Sequence, residues 1–81
     1  ASTAISYHNI GNVFYSQGEY NEALQHYNKA LAIFQRVLGR DHLSTAMSYN
    51  NIGNAYHSQG IYDAALKSFR EALVIYQRVL D

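Results

Sequence analysis

The sequence predicts an all-α protein in which two helix-turn-helix units, four antiparallel helices in all, stack side by side as a short α-solenoid. Three observations carry this. The segment Thr3-Ala4-x-Ser6-Tyr7-x-Asn9-Ile10-Gly11-Asn12 returns 42 residues later as Thr45-Ala46-x-Ser48-Tyr49-x-Asn51-Ile52-Gly53-Asn54, and 21 of the 37 pairs from Thr3/Thr45 to Gly39/Asp81 are identical. A period of roughly 20 to 50 residues marks a solenoid, whose units bury their apolar faces against one another. Apolar residues recur at steps of three and four, the spacing of one helical face. Proline is absent throughout, which agrees with four uninterrupted helices.

The first helix is expected over about residues 3–16, with Tyr7, Ile10 and Phe14 on one stripe and small Ala4 and Gly11 between them. Gln17-Gly18-Glu19 breaks the pattern. A second stripe, Tyr20, Ala23, Leu24, Tyr27, Ala30, Leu31, Phe34 and Leu38, predicts a helix over about 20–38. Gly39 suits the left-handed position past a helix end, and Arg40-Asp41-His42 links to the next unit. The third helix is expected from Leu43 or Ser44 to Ser58, with Asp41 and Ser44 as rival N-terminal caps. The fourth is expected over about 62–80, with the Asp63 carboxylate near the positive end of its dipole. The chain thus divides into repeat 1, residues 3–44, and repeat 2, residues 45–81, of a single 1–81 unit.

Gly11 and Gly53 fall inside helices, where Gly costs about 1 kcal/mol relative to Ala. Close helix approach is the compensation the pattern suggests. Tyr27 would lie against the backbone at Gly11, and Phe69 against Gly53.

A chain of 81 residues has room for one small domain with a thin core. It carries no Cys, so neither a disulfide nor a thiolate zinc site supports it, and a cytoplasmic, intracellular setting is expected. Six basic and six acidic residues cancel, which argues against nucleic acid and anionic membranes as partners. No apolar run is long enough to span a bilayer. The start, Ala-Ser-Thr-Ala without an initiator Met, suggests a piece of a longer array.

Catalysis finds no support in these residues. There is no Gly-rich phosphate loop, no Cys nucleophile and no paired carboxylates placed for acid–base work, so a non-enzyme without cofactor is expected. His8, His26, His42 and His57 show no i, i+4 pairing, and no metal site is expected. All twelve formal charges fall in the second and fourth helices or in the turns, and none in the first or third.

The pattern Tyr7-x2-Ile10-Gly11-x2-Phe14 followed by Ala23-x3-Tyr27, repeated as Tyr49-x2-Ile52-Gly53-x2-Tyr56 and Ala65-x3-Phe69, resembles the tetratricopeptide repeat. Nearly the whole chain is covered. The usual unit has about 34 residues and a proline closing its second helix, whereas this one has 42 and carries Gln35 and Arg36 there. The long unit, Leu38-Gly39-Arg40-Asp41-His42 and Asn50-Asn51-Ile52-Gly53 are similar to repeats of kinesin light chains and their relatives. Those relatives usually have proline after the His, where this chain has Leu43.

The resemblance implies a right-handed superhelix whose first helices (A) line a concave groove for an extended peptide, usually built from three or more repeats. Its wall would be polar and uncharged: His8, Asn9, Asn12, Tyr15 and Ser16, then Asn50, Asn51, Asn54, His57 and Ser58. Asn9 and Asn12, like Asn51 and Asn54, stand three apart on one helical face, and each amide both donates and accepts. Asn12 and Asn51 match two asparagines of the clamp by which chaperone-tail-binding members hold a terminal carboxylate. The lysine position is His8, and without charge-assisted bonds such a clamp is disfavoured.

Protein or peptide partners are therefore expected, with self-association as the rival reading. The outer stripe of the last helix, Leu73, Val74, Tyr76, Val79 and Leu80, would cover a following unit. Without one, a homo-oligomer or an end-to-end stack is expected, domain swapping about Gln17-Gly18-Glu19 or Gly39-Arg40-Asp41 being one form.

Overall fold

The computed structural model describes residues 2–81, which form four α-helices: α1 (Ser2–Ser16), α2 (Tyr20–Leu38), α3 (Leu43–Ser58) and α4 (Tyr62–Leu80). Both hairpin turns close identically because each has Gly in the left-handed conformation, Gly18 and Gly60 at φ 78°. The Glu19 N–H donates to Phe14 O at 2.9 Å and the Gly18 N–H to Tyr15 O at 3.0 Å; Ile61 and Gly60 repeat this with Tyr56 O and His57 O. This Schellman pairing satisfies the last carbonyls of α1 and α3 and starts the next helix at once.

The link between the two hairpins departs from expectation at two points. Gly39 has φ 93° and ψ 170°, the mirror-extended region open essentially to Gly alone, so it carries the chain away from α2 without a left-handed turn. The cap of α3 is neither Asp41 nor Ser44. His42 takes it: its backbone is extended (φ −136°, ψ 146°), and its Nδ1 accepts the Ser44 N–H at 3.0 Å. Ser44 already lies inside the first turn, and the Asp41 carboxylate turns instead to Arg78 Nη1, 3.2 Å away on the surface.

Backbone packing joins α1 to α2, α2 to α3 and α3 to α4. The Cα envelope measures 33 × 28 × 15 Å. A 19-residue helix is about 28 Å long, and helices pack roughly 8–10 Å apart, so the short dimension holds two layers. One layer is α1 beside α3 and the other α2 beside α4.

Inside each hairpin the glycines permit the approach expected of them. A Cβ on Gly11 would stand 2.7 Å from the Tyr27 ring, and one on Gly53 would stand 2.6 Å from the Phe69 ring. Between hairpins, Ala23, Leu24 and Tyr27 of α2 meet Ile52 and Ala55 of α3 in one buried cluster, flanked by Phe14, Tyr15, Leu31 and Tyr56. A second cluster, Ala4, Ala30 and Phe34, holds α1 to α2 with Tyr7 and Ile33.

Polar groups lock the α2–α3 contact. Thr45 is fully buried and its hydroxyl donates to Gly39 O at 2.9 Å, while Ser48, also buried, bonds within α3 to Ser44 O. Gln35 Nε2 donates to the Tyr49 hydroxyl at 2.9 Å, and Gln59 Nε2 to Asn21 Oδ1 at 2.7 Å.

Two residues placed on core stripes by their spacing are exposed. Ile10 shares the α1 stripe, but what buries its counterpart Ile52 is the α2 of the preceding hairpin, and no helix stands in that position against Ile10. Leu38 lies in the last turn of α2, past the reach of α1.

Candidate functional site

The uncharged residues of α1 and α3 share one layer, and the structure sorts them into two groups. His8, Tyr15, Asn50 and Asn51 are half-buried, while Asn9, Asn12, Ser16, Asn54, His57 and Ser58 are exposed. The half-buried ones largely stitch the two helices together. The Tyr15 hydroxyl lies 3.0 Å from Ser58 Oγ. Asn51 Nδ2 lies 3.3 Å from Nδ1 and 3.5 Å from Nε2 of His8, and donates to whichever ring nitrogen is unprotonated. His57 packs edge-on against Tyr62 with ring centroids 5.3 Å apart.

The four asparagines do not play equal parts. Asn12 Oδ1 accepts the hydroxyl of Tyr27 at 2.7 Å, so half of its amide satisfies a side chain that is otherwise buried. Repeat 2 has Phe69 in place of Tyr27, and the Asn54 amide makes no side-chain hydrogen bond among the described residues. Asn9 is likewise exposed and makes no side-chain hydrogen bond among the described residues. Asn12 and Asn51, the pair matched to a carboxylate clamp, are thus the two whose amides already serve the fold.

Two ionisations are displaced here by burial. Desolvation pushes the Tyr27 hydroxyl up to about 12, with the neighbouring Tyr15 adding to the effect, so it remains a proton donor to Asn12 across the ordinary pH range. Desolvation lowers His8 from its ordinary 6.5. An imidazolium would also confront the Asn51 amide with two donors and no acceptor, so the amide would have to turn over.

His8 therefore makes stability depend on pH with a definite sign. The unfolded chain takes up a proton near 6.5 and the folded chain only at lower pH, so stability is full above 6.5 and falls as the pH drops through the lowered value. Replacing His8 by Asn, the residue at the matching position 50, should flatten that part of the profile. Urea melts of both chains at neutral and mildly acid pH check it: equal losses in the two would show that His8 does not couple to folding.

The opposite layer holds features that the sequence reading passed over. A hollow of about 430 Å³ lies between α2 and α4, lined by Leu31 on one side, Lys67 and Glu71 on the other, and Tyr49, Ile52 and Tyr56 of α3. Two differences between the repeats fall in its lining. In repeat 1, His26 lies 5.2 Å from the Phe14 ring and 6.1 Å from the Tyr7 ring. In repeat 2 the matching residue is Ser68, and Glu22 is matched by Ala64. These shorter side chains stand beside Tyr49 and Tyr56 in the lining, a difference visible by setting the two copies side by side. A second hollow of about 260 Å³ follows toward the Asp41–Arg78 pair, with Gln35, Tyr49 and Val74 among its lining.

Of the α4 residues expected at an edge, Leu73, Val74, Val79 and Leu80 are exposed and Tyr76 is half-buried. Among the described residues no helix is long and apolar enough to cross a membrane, and no three His, Cys, Asp or Glu gather where a metal could bind.

Helical hairpins related by a sequence repeat, packed second helix against next first helix with a glycine at each intrahairpin crossing, define an interaction repeat of the α-solenoid class. Residues 2–78 match the family model described as Tetratricopeptide repeat, and the chain belongs to that family. A search of curated proteins returned no match. Repeats of this family generally mediate protein–protein interaction.

Proposed function

We propose that the chain binds an extended, uncharged protein segment along the layer formed by α1 and α3, and carries out no catalysis of its own. The observation that carries this is the free pair of amides at Asn9 and Asn54, one on each helix, on a layer with no formal charge. An amide that both donates and accepts matches a peptide group, and two on adjacent helices read successive parts of one strand. His57 and the unengaged donors of Asn12 extend the same surface.

The test avoids Asn12, because removing it strands the buried Tyr27 hydroxyl and confuses binding with folding. A phage-displayed library of random peptides selected on dilute chain supplies the probes. The reading expects uncharged sequences whose binding weakens by about tenfold or more in the Asn9→Ala/Asn54→Ala chain, the loss of one or two buried hydrogen bonds. Peptides indifferent to both substitutions would place the site elsewhere.

The apolar exposure of α4 favours a second reading, association between copies of the chain.

A further inference from the structure

We infer that two copies of this chain join head to tail, α4 of one copy taking against α1 of the next the place that α2 takes against α3 inside a single copy. This deepens the self-association reading. The repeat supplies its own control. Each position occurs twice, once beside a neighbouring hairpin and once at an end, so exposure caused by a missing neighbour can be separated from ordinary surface exposure.

On the α1 side, Ile10 is 43% exposed while its counterpart Ile52 is 5% exposed, and Val13 is 57% exposed while Ala55 is fully buried. Thr3 and Ser6 are exposed where Thr45 and Ser48 are buried. On the α4 side, Leu66 is 48% exposed against 9% for Leu24, and Leu73 is exposed where Leu31 is half-buried. Other apolar residues fail this comparison. Val79 and Val37 are exposed alike, and so are Ile5 and Met47, so these belong to the ordinary surface. The uncovered faces are therefore Thr3, Ser6, Ile10 and Val13 on one end, and Leu66, Phe69 and Leu73 on the other.

These two faces are the halves of one interface that the chain already makes. Leu66, Phe69 and Leu73 repeat Leu24, Tyr27 and Leu31, which bury Ile52 and Ala55 within the molecule. On the receiving face three of four residues are identical, and the one change in bulk is Val13 for Ala55. The polar locks recur as well. The bond from Gln35 to Tyr49 has Gln77 and Tyr7 as its counterparts, the same residue types. The bond from Gln59 to Asn21 has Gln17 and Asp63, again a donor amide and an acceptor oxygen. A symmetric pairing of two α4 faces would use none of these.

The contact is heterologous: it joins two different faces, and each added copy presents a fresh face at either end. Sedimentation of the 81-residue chain from micromolar to millimolar concentration should show the mean mass rising past that of a dimer without a plateau. Ile10→Glu and Leu73→Glu each place an unpaired charge in the contact and should shift its midpoint at least about tenfold upward. Both positions are exposed in the single chain, so circular dichroism should show both variants folded.

Mixing the two variants decides the polarity. The Ile10→Glu chain keeps a sound α4 face and the Leu73→Glu chain a sound α1 face, so an equimolar mixture should form a 1:1 dimer and stop there. Failure of the mixture to associate where the wild type does would overturn the head-to-tail arrangement. So would a wild type that halts at a closed dimer, which is the outcome of a symmetric or domain-swapped pair. A wild type that stays monomeric at millimolar concentration would also refute it; if fusing a further copy of residues 43–81 then raised stability, the face would belong to a covalently linked repeat.

Discussion

Gly53→Leu is expected to be strongly destabilising, lowering the urea midpoint of the chain while leaving it mostly folded in water. A Cβ at this position would stand 2.6, 2.7 and 3.0 Å from Cε1, Cδ1 and Cζ of Phe69, closer than carbon atoms approach, and Leu adds three further carbons beyond it. The obstacle is the side of a packed ring, so α3 and α4 must part. Overpacking of this kind costs roughly 1–3 kcal/mol or more, against a gain of about 1 kcal/mol from replacing a mid-helix Gly. The steric term wins. A domain of this size has a total stability of only about 5 kcal/mol, and the net loss of about 2 kcal/mol left after that offset removes a large share of it. Far-UV circular dichroism and urea melts measure the loss. Phe69→Ala in the same chain should restore part of it by vacating the space; a double variant no more stable than Gly53→Leu alone would mean that the ring is not the obstacle.

The Gly–aromatic crossings were legible in the sequence because they involve two residues of one hairpin at a fixed spacing, Gly11 with Tyr27 and Gly53 with Phe69. Helix positions were legible for a similar reason: periodicity and a glycine turn are local signals. Contacts between hairpins are not local, and that is where expectation and structure part. Ile10 and Ile52 occupy the same stripe position, yet only the presence of α2 in front of Ile52 decides which one is buried. The start of α3 shows the same limit: Asp41 and Ser44 both have good capping chemistry, but the extended backbone falls at His42 and the Asp41 carboxylate is drawn to Arg78. On the α1–α3 layer, residue type identified polar side chains without showing which were already engaged. Asn12 and Asn54 are the same residue in the same context until Tyr27 is set against Phe69, and that one hydroxyl separates a structural amide from a free one.

The same pair of isoleucines gives the sharpest measure of how much the second hairpin depends on the first. Ile52→Ala removes three buried carbons from the cluster formed with Ala23, Leu24, Tyr27 and Ala55, and should cost roughly 2–5 kcal/mol, the range for truncating a buried aliphatic side chain. Ile10→Ala makes the identical chemical change on an exposed helical face. At micromolar concentration it should shift stability by no more than about 0.5 kcal/mol, with the higher helix propensity of Ala offsetting lost packing. Urea unfolding of both variants under one condition isolates burial, because side chain, helix position and local sequence are shared. Near-equal losses would mean that the α2–α3 contact contributes little and that the two hairpins fold almost independently. At millimolar concentration the comparison should change in one direction only. If copies stack through α1, Ile10→Ala then acquires a cost that Ile52→Ala already shows in the single chain, because the same side chain has gained the same kind of cover.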